Sequence, residues 1–96
     1  MSIRAGVAQA LRAARKLRRL SQERLDAVTS RTYISALERG LKSPTLDKLE
    51  QIAGELDIHP VSLLAYSYLQ DGSLDYQTLL EQVEREICLL KDADHP

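Results

Sequence analysis

Tryptophan and phenylalanine are absent from this 96-residue chain, and its only aromatics are four tyrosines. Any core must therefore be built largely from aliphatic side chains, which suits one small helical domain. The single cysteine, Cys88, excludes an internal disulfide and reads as an apolar neighbour of a helix face. No apolar run approaches the roughly 20 residues of a membrane span, and nothing resembles a signal peptide. A cytoplasmic location is the expectation. The two histidines, His59 and His95, share no metal-ligand spacing with Cys88 or with an acid cluster. Neither a glycine-rich phosphate loop nor a serine nucleophile motif occurs. The sequence thus leads us to expect no catalysis, no metal, no cofactor and no small-molecule ligand.

Charge is present in both signs but is unevenly placed. Residues 1–44 hold ten Lys and Arg against three acids, or +7; residues 45–96 hold three against eleven, or -8, and the two halves give the net -1. A molecule polarised in this way can turn its basic half to a polyanion while the acidic half stays in solution or meets a partner.

The stretch that organises the rest is QERLDAVTSRTYISALERG, Gln22 to Gly40. A short amphipathic segment from Gln22 to about Val28 is followed by a polar break at Thr29 and Ser30, and then by a second segment, Arg31 to Arg39, stopped by Gly40. This pattern predicts two helices joined by a tight turn. In the second, Tyr33, Ile34 and Leu37 can bury while Arg31, Thr32, Ser35, Ala36 and Arg39 face outward. That outer face is small, polar and cationic, and it suits a helix lying in the DNA major groove.

Other helices follow from periodicity and caps. Ile3, Val7, Ala10, Leu11, Ala14 and Leu17 form an apolar stripe with Ser2 as N-cap, and Arg4, Arg12, Lys16 and Arg18 on the other face can reach a phosphate backbone. Ser21 sits as the N-cap of the next helix, with Leu25 and Val28 buried. After Pro44 and Thr45, Leu46, Leu49, Ile52, Ala53 and Leu56 make a further stripe, within which Gly54 suggests a close helix approach. Pro60 suits the first position of a helix carrying Val61, Leu63 and Leu64.

Beyond the turn signal Asp71-Gly72-Ser73, Leu74 to about Lys91 reads as one more helix. Its residues Tyr76, Leu80, Val83, Ile87 and Leu90 are spaced four, three, four and three, a seam of little more than two heptads. So short a seam is marginal alone. Either it folds back to cap its own bundle or it meets a second chain.

Residues from about 3 to 69 resemble the helix-turn-helix domain of the Cro and phage-repressor type, also called the xenobiotic-response-element family. The residues that carry the resemblance are Leu20-Ser21-Gln22-Glu23, Ser30 through Gly40, Ser43-Pro44-Thr45-Leu46 with Leu49, Ile52, Ala53 and Leu56, and His59-Pro60 with Leu63-Leu64. The resemblance implies an all-α fold: a five-helix repressor-like DNA-binding bundle with one additional C-terminal helix. The organisation expected is 1–70 as the helix-turn-helix domain, 71–91 as a C-terminal helix for dimerisation or capping, and 92–96 as a frayed tail. By the same resemblance, Gln22 contacts a phosphate, Arg31, Thr32, Ser35 and Ala36 face bases, and Tyr33, Arg39 and Lys42 lie on the backbone. Glu38 pairs with Arg15 of the first helix. The spacing from Gln22 to the Tyr33-Ile34-Ser35 segment is two residues shorter than the family's and the turn lacks its usual glycine. Either the second helix stops near Ala27, or the turn is rebuilt around Thr29 and Ser30, whose hydroxyls can cap the next helix.

The function expected is a sequence-specific, double-stranded DNA-binding transcription regulator, a homodimeric repressor reading an inverted-repeat operator. The rival is a protein-binding adaptor or antitoxin-like module that uses the C-terminal helix.

Overall fold

A computed structural model describes residues 2–20, 30–70, 72 and 74–95, and among these it contains five helices and no strand. They are α1 (Ile3–Arg18), α2 (Arg31–Glu38), α3 (Leu46–Leu56), α4 (Pro60–Tyr68) and α5 (Tyr76–Asp94). The expected helix between Gln22 and Val28, with Ser21, Leu25 and the Thr29 side of its turn, lies outside the described residues.

Local chemistry sets the ends of each helix. Ser2 Oγ accepts from Ala5 N at 3.2 Å, Ser30 Oγ from Tyr33 N at 3.1 Å and Thr45 Oγ1 from Lys48 N at 3.1 Å. Each satisfies one of the amide donors that a helix start leaves without an intrahelical partner. Pro60 opens α4, where its missing N–H costs nothing, and His59 Nδ1 accepts from Val61 N at 3.0 Å. At the other ends, Arg19 and Asp57 enter the left-handed region at φ 56° and 53°, and Gly40 does so at 73°. Gly40 can adopt that conformation without Cβ strain, and Leu41 N then reaches Ala36 O at 2.9 Å.

The core sits where α1 packs across α2, α3 and α4. Leu11, Ile34, Leu37, Ile52 and Leu56 are fully enclosed, joined by Val7, Ala10, Ala14, Leu49, Ala53 and Leu63. Burying each large aliphatic side chain is worth about 1.5–3 kcal/mol. Tyr33 is half-buried against this cluster, the one aromatic that joins it.

Several expectations are corrected by this packing. Ile3, Leu17 and Leu46 belong to apolar stripes, yet on the terminal turns of their helices Leu17 is 66% and Leu46 79% exposed. Gly54 faces open space, whereas the close helix approach is made by Gly6, which lies on the Ser67 backbone of α4. The C-terminal helix starts at Tyr76 with Asp75 as its N-cap and continues to Asp94, so most of the expected frayed tail is helical. It packs on α4 and none of its residues is buried.

Candidate nucleic-acid interface

The interface is built on α2. Its inner side is held by Ile34 and Leu37, both without solvent exposure, so the opposite side must face outward. There Arg31, Thr32, Ser35, Ala36 and Arg39 line one shallow concavity. Arg31, Thr32 and Arg39 are exposed, and Ser35 and Ala36 are half-buried at its floor. Small residues flanked by guanidinium groups allow close approach to base edges while offering donors to guanine and methyl contact to thymine. The half-buried Tyr33 lies beside this surface. Lys42, exposed after the end of α2, has its ammonium 5.8 Å from the Tyr33 ring centroid, within cation–π range. Gln22 lies outside the described residues.

α1 grips the C-terminal end of α2. Arg15 Nη2 donates to Glu38 Oε1 at 2.5 Å and Arg15 Nε to Glu38 Oε2, a two-point ion pair, while Arg15 Nη1 donates to Leu20 O at 3.1 Å. Glu38 is only 4% exposed. A carboxylate taken out of water needs such a partner, and the planar guanidinium fork supplies two parallel bonds. Hydrogen bonding to Glu38 raises the Arg15 pKa above its ordinary value, against the opposing effect of partial burial. Arg12 adds a bond from Nη1 to the Glu38 main-chain oxygen. Positive charge at a helix C-terminus also complements the helix dipole.

The sequence places Arg12 and Arg18 on a side of α1 able to reach a phosphate backbone. Arg12 is instead tied to Glu38, and Arg18 donates from Nε to Leu56 O at 2.9 Å and from Nη2 to Asp57 O at 2.8 Å, closing the end of α3. The three carbonyls at these helix ends attract the guanidinium groups because a terminal helix turn has no amide to offer them. Arg4, Lys16 and Arg19 remain exposed on the same basic half. The Arg12 contact was within reach of the sequence, since Arg12 and Arg15 are three apart and share a helix face.

The seam residues of α5 come to one side of the helix. Tyr76, Leu80, Ile87 and Leu90 are exposed and Val83 is half-buried. Among the described residues no group of three His, Cys, Asp or Glu gathers in a metal-holding arrangement, and no helix is long and apolar enough to cross a membrane.

The geometry can be set beside known proteins. Over 50 residues, half of this chain, the sequence is 40% identical to the control protein C.BamHI of Bacillus amyloliquefaciens. The chain spans 62% of the length of that relative. In fold it is similar to the crystal structure of the clp gene regulator ClgR from Corynebacterium glutamicum, with a TM-score of 0.67 and 23% identity, covering 100% of this chain and 97% of that one. A helix-turn-helix family model matches residues 11–63, from the middle of α1 into α4. The chain belongs to the Cro/repressor-type helix-turn-helix family, whose members are DNA-binding transcription regulators and not enzymes.

Proposed function

We propose that this regulator is a homodimer that reads an inverted-repeat operator in double-stranded DNA by laying α2 in the major groove, and that it represses. The supporting observation is the outer face of α2, small and cationic, on a helix whose inner face is buried and whose end is clamped by Arg12 and Arg15. In this reading Arg31, Thr32, Ser35 and Ala36 meet base edges, while Gln22, Tyr33, Arg39 and Lys42 meet phosphates. One copy reads only a few base pairs, so useful specificity needs two, with recognition helices about 34 Å apart. Repression is the simpler outcome, since a dimer on a promoter obstructs polymerase without a further contact surface.

Selection of bound duplexes from a random pool tests this. The expected product is a pair of inverted half-sites about one helical turn apart, bound at least about a thousandfold tighter than a scrambled duplex. Arg31→Ala with Ser35→Ala removes that preference. If the double variant keeps wild-type operator affinity, α2 is not the reading element.

The uncovered stripe of α5 favours a second reading, in which the chain is an adaptor holding another protein through that helix. Leu80→Asp with Ile87→Asp would then abolish partner capture without altering DNA binding by a monomer.

A further inference from the structure

The guanidinium groups of Arg12, Arg15 and Arg18 are engaged by acceptors of the protein itself, which orders them and withdraws donors from any ligand. Lys42 is held in another way. Among the described residues no carboxylate pairs with it, and its ammonium stands over the ring of Tyr33, 5.8 Å from the centroid.

We infer that Tyr33 is a positioning residue for the interface, the face of its ring holding the Lys42 ammonium ready for a DNA phosphate before the duplex arrives. This deepens the proposed function and rests on its assignment of Lys42 to the phosphates.

Both members of the pair are fixed by the fold. Tyr33 N donates to the Ser30 cap at 3.1 Å, and the half-buried side chain packs against the core, which anchors the ring in the first turn of α2. At the other end Gly40 turns the chain at φ 73°. The bonds from Gly40 N to Leu37 O at 3.1 Å and from Leu41 N to Ala36 O at 2.9 Å then set the path that brings Lys42 back to the ring.

A lysine on its flexible stem loses rotamer freedom when it grips a phosphate. Order imposed beforehand reduces that loss and strengthens binding without a new contact. The nature of the partner decides what is left for the ligand. A carboxylate would hold the stem but offset its charge, whereas the negative face of a neutral ring holds the stem and leaves the positive charge whole.

Double-mutant cycles on the full chain test the inference, with affinity for a duplex of scrambled sequence read by fluorescence anisotropy at low salt, where phosphate contacts dominate. Tyr33→Phe is the reference, because it removes the hydroxyl and keeps the ring face. Relative to it, Tyr33→Leu should weaken binding about two- to fivefold. Pentafluorophenylalanine at position 33, which keeps the ring but reverses the sign of its face, should do the same. In a Lys42→Ala chain neither change should have an effect. The fluorinated ring fills the phenylalanine site, so its result stands even where Tyr33→Leu loosens the core. Proton NMR of the free protein gives a second readout, since the ring should displace the Lys42 ε-proton signals in Tyr33→Phe and not in Tyr33→Leu.

If Tyr33→Phe and the fluorinated variant bind equally while Lys42→Ala binds more weakly, the ring does not position Lys42; the inference falls and the phosphate contact stands. Equal losses with and without Lys42 would assign the effect at position 33 to packing or direct contact, and would overturn the inference too. If Lys42→Ala changes neither affinity nor its salt dependence, the assignment of Lys42 to the phosphates is wrong and the inference goes with it.

Discussion

Gly6 of α1 lies so close to the Ser67 carbonyl of α4 that a Cβ at residue 6 would sit 2.3 Å from that oxygen. The neighbour is backbone and cannot swing aside. Alanine usually stabilises a helix interior by up to about 1 kcal/mol relative to glycine, but overpacking costs about 1–3 kcal/mol. Gly6→Ala should therefore lower stability by about 1–3 kcal/mol in urea unfolding. Gly54→Ala is the control, since a Cβ there meets nothing within 4 Å, and it should raise stability by about 0.5–1 kcal/mol. Equal signs for the two would mean that α1 and α4 do not approach as described.

The Arg15–Glu38 pair should behave as a buried ion pair does. Arg15→Ala leaves Glu38 enclosed without its main partner, and the loss should fall toward the lower end of about 3–5 kcal/mol because the Arg15 side chain is 20% exposed. Arg15→Met combined with Glu38→Leu should recover most of that loss. A double-mutant cycle by urea unfolding measures the coupling, and simple additivity would show that the pair is not a unit.

Asp75 provides an acid-sensitive cap. Its carboxylate accepts from Thr78 N at 2.9 Å and from Thr78 Oγ1 at 3.1 Å, and these bonds, the backbone one foremost, hold its pKa below the usual aspartate value. A carboxyl with a depressed folded-state pKa lends stability that is present above its unfolded pKa and is lost as pH falls through the folded one. Helicity at the start of α5 should therefore decline below the ordinary aspartate range, as followed by amide hydrogen exchange at Thr78. Asp75→Asn, still able to cap but unable to titrate, should lose that acid response.

Arg39 and Lys42 should contribute affinity without sequence preference. Each replacement by alanine is expected to weaken operator and scrambled DNA alike and to lower the slope of log affinity against log salt by about 0.9. A change confined to the operator would move that residue from the phosphates to the bases.

Much of the fold was legible in the sequence because the signals are local. Ser2, Thr45, Pro60 and Gly40 act within one helical turn, and the stripe through Leu49, Ile52, Ala53 and Leu56 needs only helical periodicity to be seen. The outward face of α2 follows in the same way, since burying Ile34 and Leu37 turns Ser35 and Arg39 out.

What the sequence by itself determined, for the described helices, is therefore where most of them start and which side of each is apolar; the end of α5 at Asp94 it did not give. Only the tertiary structure decided how far each apolar side is covered, because coverage depends on where the neighbouring element ends. Leu17 and Leu46 match their stripes yet stand open, and Gly6, not Gly54, meets another backbone. Arg12 and Arg18 carry the same charge as Arg4 and Lys16. They differ because the last carbonyls of α2 and α3 lie within reach of the first two, a matter of distance across 26 and 38 positions of chain.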